Sequence, residues 1–246
     1  MDPTKTSLDA PPSYREQATG SRDQSPITLV LDGQTIRAED DASTPLYHLS
    51  RSVTALKQEP SSIQLDRVDQ VPPEKATSSD KLESRNTHLF YLVHPINARY
   101  RTDKPAYYGT SNPATTASNF VLQPARSMNP LHTPEFTVSV SPGRTAESDV
   151  SFDNAKDQQP LFTVKKKWSG DQYVWRSSSG SEIAIEESVK DGQGTRKLVV
   201  SESLDYQVLQ TLVAAWCLRC WHDVAESKEA RRDGTFVRSA RLAMPI

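Results

Sequence analysis

The segment Ser203–Glu226, SLDYQVLQTLVAAWCLRCWHDVAE, decides how the rest of the chain is read. It contains no Pro and no Gly, and its length suits a helix of about six turns. Its apolar positions include Leu204, Val208, Leu209, Leu212, Val213, Trp216, Cys217, Leu218, Cys220, Trp221 and Val224. At a helical pitch they cover nearly the whole circumference. A helix that is apolar on all sides either spans a membrane or lies inside protein. The unbroken apolar run, Leu212–Leu218, is far shorter than the roughly 20 residues a bilayer needs. The segment therefore reads as a helix over about 203–226, buried by the rest of the fold.

What surrounds it reads as strands. SPITLVLDGQTIRAE alternates through Ile27, Leu29 and Leu31, and Asp32-Gly33 signals a tight turn, so 27–39 is expected as a hairpin. PLYHLS and SSIQLDRV alternate in the same way. THLFYLVHPI reads as a buried strand ended by Pro95. NFVLQP, PEFTVSVSP and SDVSFDNA add short candidates. PLFTVKKKW, DQYVWRS, SEIAIEE and RKLVVSE then follow at short intervals, an antiparallel meander. Two stretches lack an apolar period and carry Pro, about 69–86 and about 102–118, the second with Gly109 as well, and are expected as loop insertions. Pattern alone counts about ten strands. One all-apolar helix among many strands predicts a mainly β fold: a sheet closed around the helix, since closure removes edges and the helix fills a barrel too wide for its own side chains.

Composition sets the outer limits. Hydrophobic residues make up 35% of the 246, with 17 Pro, which fits an ordered domain with polar flanks. Residues 1–25 read as a disordered tail, 26–226 as the barrel, and 227–246 as a polar tail in which TFVRSARL offers one more short strand. The formal charge of −2 favours no nucleic-acid partner. The N-terminus lacks an apolar signal core, and a cytoplasmic protein is expected, with peripheral membrane association as the alternative.

The only cysteines, Cys217 and Cys220, have the CxxC spacing of redox and zinc sites. Redox cysteines sit at helix N-termini, where the dipole favours thiolate. These lie toward the opposite end among apolar neighbours, and too few histidines are nearby to complete a zinc set. They read as core, with Leu212, Trp216 and Trp221. No GxSxG, P-loop, GxGxxG or HExxH motif occurs. Glu182, Glu186 and Glu187 read as surface charges, with Glu182 and Glu186 on one face of a strand. No enzyme activity, cofactor or metal is expected.

The run LFTVKKKWSGDQYVWRSSSGSEIAIEES followed by KLVVSESLDYQVLQTLVAAWCLRCW resembles the closing half of the tubby C-terminal-like superfamily, which includes the tubby, LURP-one-related and phospholipid scramblase families. The opening ITLVLDGQTIRAEDDASTPLYHLSRSV is similar to fungal proteins of that fold. The resemblance covers about 27–225 and implies a closed antiparallel barrel of roughly twelve strands around a central hydrophobic C-terminal helix. None of that family's phosphoinositide-binding residues matches here by position, so the resemblance implies a fold and no site.

Two motifs point to partners. PPSY, with Pro11, Pro12 and Tyr14, fits the PPxY ligand of WW domains: the prolines prestiffen a polyproline II segment and the tyrosine fills a second pocket. The partner implied is a WW-domain protein, in particular a WW-domain ubiquitin ligase, and the chain reads as its adaptor or client. KKKW places Lys165, Lys166 and Lys167 beside Trp168, with Lys165 and Lys167 expected on one strand face and Lys166 with Trp168 on the other. That group reads either as a solvated strand face or as a contact for an anionic membrane surface, phosphoinositide-bearing or otherwise.

Overall fold

The computed structural model describes residues 24–55, 61–71, 83–95, 105–115, 117–124, 135–141, 160–168, 171–188 and 194–226. Twelve strands precede one helix: β1 Ile27–Asp32, β2 Thr35–Ala38, β3 Pro45–Leu49, β4 Ser61–Val71, β5 Glu83–His94, β6 Tyr108–Ser111, β7 Asn119–Pro124, β8 Glu135–Ser141, β9 Phe162–Lys166, β10 Gln172–Ser177, β11 Glu182–Ser188, β12 Arg196–Val200 and α1 Tyr206–Ala225. Each strand pairs antiparallel with its neighbours in sequence. The ring closes where Ile27 of β1 faces Val200 of β12. No strand of the ring is left as an edge, which removes the usual template for edge-to-edge aggregation.

The alternating residues do what their period requires. Leu29, Leu31, Ile36, Tyr47, Leu49, Ile63, Leu65, Phe136, Val138, Phe162 and Val164 point inward and are buried. The Asp32-Gly33 turn joins β1 to β2, and Gly33 takes φ 59°, a left-handed conformation that costs Gly no Cβ clash. Bulges adjust the faces at three places, one of them in β3, where Tyr47 faces Ile36 while Pro45 faces Arg37. In β5, Leu65 faces Phe90 while Asp66 faces His88, so Leu89 is the extra residue, and both Leu89 and Phe90 turn inward. In β11, Ala184 faces Trp175 while Glu182 faces Arg176, leaving Ile183 as the extra residue.

Twelve strands enclose more space than their own side chains fill, and α1 occupies it. Every residue from Leu209 to Trp221 is buried, including Leu212, Trp216, Cys217, Cys220 and Trp221 at 0% exposure. The helix starts beside the Gln24–Leu204 bridge, next to the beginning of β1, and Asp205 caps it by accepting from the Gln207 amide at 2.8 Å. It finishes among residues from the other end of the barrel. His222 packs on Phe136 at the start of β8 and on Tyr107 just before β6. The barrel thus has a helix-entry end and a helix-exit end, and the turn from β9 to β10 lies at the exit end.

The twelve strands agree with the number the resemblance implies. Two expectations are revised. The pattern count of about ten falls short, and β6 is among what it misses, a four-residue strand inside the turn-rich 102–118 region. The loop expected over 69–86 is shorter, since Asp69, Gln70 and Val71 continue the ladder opposite Arg85, Ser84 and Glu83. The segment 148–155, the final TFVRSARL and the N-terminal tail lie outside the described residues.

Candidate functional site

Two places concentrate charge: the interior beside the second half of α1, and the tip of the β9–β10 hairpin. The interior comes first because its chemistry constrains the cysteines. Arg219 is 0% exposed. Its guanidinium donates to Glu186 Oε1 and, at 3.0 Å, to Asp223 Oδ2, one helical turn on. Arg196 at the start of β12 lies 3.8 Å from the same Asp223 oxygen. The group is charge-neutral, two cations with two carboxylates. The Tyr173 ring lies under the Arg219 guanidinium at 4.0 Å, a cation–π contact that lacks the competing water of a surface site.

Glu186 therefore corrects the expectation that it is a surface charge sharing a face with Glu182. The Ile183 bulge reverses the parity of β11, so Glu182 stays outside while Ala184 and Glu186 turn inward. Burial pushes the Glu186 carboxyl above the ordinary range, and the Arg219 charge and hydrogen bond oppose that shift. Burial, with Asp223 nearby, also pushes Tyr173 up to about 12. Sequence reading missed this cluster, although a signal was present. Arg219 and Asp223 stand four apart in a helix otherwise apolar on all sides, and a cation that must be buried demands a partner.

The cysteines share this environment. Both are free and fully buried. Cys220 Sγ lies 3.7 Å from Glu186 Oε1, and burial followed by the Glu186 charge raises both thiols well above their ordinary value. Neither can supply a thiolate near neutrality. Burial lowers the His222 imidazole, which meets the Phe136 ring edge-on and the Tyr107 ring at a tilt. Among the described residues, no three His, Cys, Asp or Glu side chains are grouped to hold a metal ion.

At the hairpin tip the strand alternation continues past the core. Lys166 follows Phe162 and Val164 on the inward parity. Its ammonium lies 3.1 Å from Asp171 and 6.0 Å from the Tyr173 ring centre. Lys165 faces outward. The Lys167 amide donates to the Gln172 carbonyl at 2.9 Å and closes the turn. Trp168 then projects into solvent, 94% exposed, while Trp175, Trp216 and Trp221 are buried. Lys165, opposite Glu135 in the β8–β9 ladder, thus precedes Lys167 and Trp168 at the tip, and Lys166 pairs with a local carboxylate.

A polar concavity of about 320 Å³ lies on the outer wall, lined by Thr35, Arg37, Ser43, His48 and Asn86 among others. Its cation Arg37 is paired with Asp32 at 3.3 Å, and the Ser43 hydroxyl donates to Asp41 at 2.6 Å. Pro11, Pro12 and Tyr14 lie outside the described residues. No helix among the described residues is long and apolar enough to cross a membrane.

The chain matches no protein family, no curated protein and no solved structure. The fold itself, a closed twelve-stranded antiparallel barrel with one helix, is consistent with a tubby-like fold.

Proposed function

We propose that this chain is a non-catalytic binding module of the tubby-like class that docks reversibly on anionic membrane surfaces through the β9–β10 tip. The observation that carries this reading is Trp168, 94% exposed at a hairpin tip that also bears Lys165 and Lys167. An indole held in water is costly, and at a membrane interface its apolar body is buried while its N–H stays wet. Each lysine near an anionic surface adds about 1 kcal/mol. Burying the indole adds roughly 1.5–3 kcal/mol. Together these give about 3.5–5 kcal/mol, around the millimolar range, which fits a peripheral contact and not a permanent anchor.

Trp168 is the one exposed tryptophan of four, so it reports on its own docking. Vesicles of phosphatidylcholine with roughly 30% phosphatidylserine should sediment the protein. Brominated acyl chains in those vesicles should quench Trp168 emission. Lys165→Glu with Lys167→Glu should abolish both signals, and undiminished sedimentation of that variant removes the reading.

A second reading is favoured by PPSY at 11–14: an adaptor recruited by a WW-domain protein, with a WW-domain ubiquitin ligase as the concrete partner. A pull-down compared between the intact chain and Tyr14→Ala tests it. A WW-domain ligase lost only from the variant supports the adaptor reading, and identical capture by both dismisses it.

A further inference from the structure

The concavity on the outer wall lies where two departures from the regular ladder meet. β4 and β5 run on past their neighbours. β3 pairs β4 no further than Tyr47 opposite Arg67, and β6 pairs β5 no further than Phe90 opposite Ser111. Beyond those points Val68 and Gln70 face Asn86 and Ser84 in a two-stranded extension. On the other side the chain enters β3 through Pro45, which has no N–H to continue a ladder toward β4. The cavity of about 320 Å³ lies between these two features, with Ser43 and Pro45 on one side and Val68, Ser84 and Asn86 on the other. Thr35, Arg37 and His48, which alternate with the buried Ile36 and Tyr47, complete its lining from the outer face of β2 and β3.

The chemistry of that lining narrows what fits. The side chains of Thr35, His48, Ser84 and Asn86 hydrogen-bond to no described residue, so their donors and acceptors face the cavity or water. The one cation in the lining, Arg37, spends a single guanidinium nitrogen on Asp32 and keeps the others. An anion would have to compete with Asp32 for it, and a cation meets no carboxylate among the described lining residues. An apolar ligand would cover the hydroxyl and amide groups without replacing their bonds to water. A neutral molecule rich in hydroxyls meets every requirement. Each hydroxyl both donates and accepts, as do the Asn86 amide, the His48 imidazole and the Ser and Thr hydroxyls. The C–H face of such a molecule suits the small apolar surface of Val68 and Pro45.

We infer that this cavity binds a neutral sugar or cyclic polyol of a single ring. Its volume stands at the low end of the roughly 300–1,000 Å³ of small-molecule sites, room for one ring and not for a longer chain. Ser84 and Asn86 are exposed, so the ligand keeps one side in water, and a molecule of about a dozen heavy atoms held in that way reaches roughly millimolar affinity. The site is built on β2 to β5, whereas the tip lies between β9 and β10, so sugar binding stands or falls separately from membrane docking.

Saturation-transfer NMR on the full chain with glucose, mannose, galactose, N-acetylglucosamine and myo-inositol tests this. At least one should receive saturation at about 10 mM. Its titration should move the backbone amide signals of Thr35, His48 and Asn86 and leave that of Trp168 in place. Thr35→Val and Asn86→Leu keep the approximate shape of partly or fully exposed side chains, so each should retain the wild-type melting temperature. Each should weaken binding about fivefold, the worth of one net hydrogen bond. If none of the probes binds at about 50 mM, the inference falls. If a sugar binds both folded variants as it binds the wild type, it sits elsewhere and the assignment to this cavity is overturned. If inorganic phosphate moves the same amide signals and no sugar displaces it, Arg37 governs the cavity and a neutral ligand is ruled out.

Discussion

Replacing Arg219 with Met should strongly destabilise the barrel, and the size of the loss follows from what it leaves behind. Met is of similar length and fills much of the same space. Glu186, 1% exposed, would then keep only the distant Arg196 as a countercharge. Glu186 Oε2 already makes no hydrogen bond to any described residue, and the donor left at Oε1 is the weak Cys220 thiol at 3.7 Å. Breaking a buried ion pair from one side costs about 3–5 kcal/mol. For a domain of this size that is roughly 6–20 °C in melting temperature. The partner experiment is Arg219→Met with Glu186→Gln, which removes the stranded charge; most of the loss should return, because a buried pair and its neutral replacement are often close in energy. Urea unfolding followed by circular dichroism measures all three proteins. The pH dependence gives an independent check. In the single variant the folded-state carboxyl lies above its unfolded value, so the native state holds the extra proton. Stability is then greatest below the ordinary carboxyl range of about 4.3 and declines as pH rises through the raised value. The double variant lacks that decline. A single variant within about 1 kcal/mol of the wild type, or a double no better than the single, would refute the claim that this cluster holds a buried carboxylate.

Gly109→Ala should destabilise the barrel by about 1–3 kcal/mol in the same assay, since an added Cβ would stand 2.3 Å from the buried Phe120 ring on the neighbouring strand. Cys217 and Cys220 should not react with a thiol reagent in the native state and should both react after unfolding in urea; fast native labelling would contradict their burial. Alanine at both positions should lower the melting temperature, because cavities open in a packed interior. Trp168→Ala should leave the melting temperature unchanged, as a residue 94% exposed contributes nothing to the core.

Much of the architecture was legible from residue order. The all-round apolar character of Leu209–Trp221 required burial, and alternation along β1, β4 and β8 set which residues face it. These are local periodicities, and they survive because barrel closure reinforces them. Other features were legible only in part. The short β6 has too few residues to show a period, and the β4–β5 ladder extends into polar sequence that alternation of hydrophobicity does not mark. The tip motif KKKW was visible as composition, but neither the exposure of Trp168 nor the Lys166–Asp171 pairing was, since both depend on where the turn closes.

The sequence by itself determined that one helix would be enclosed by many strands, that its cysteines would be poor nucleophiles, and that PPSY and KKKW were the segments worth testing. Only the tertiary structure decided the rest. A single inserted residue at Ile183 carried Glu186 from the solvent side to the interior, where Arg219 awaited it, and no local pattern foretells a bulge. Closure of the fold likewise brought Arg196 of β12 within 3.8 Å of Asp223 on α1. The physical reason is common to both. Hydrophobic period is a property of neighbours along the chain, whereas charge pairing depends on which distant elements closure brings to the same place.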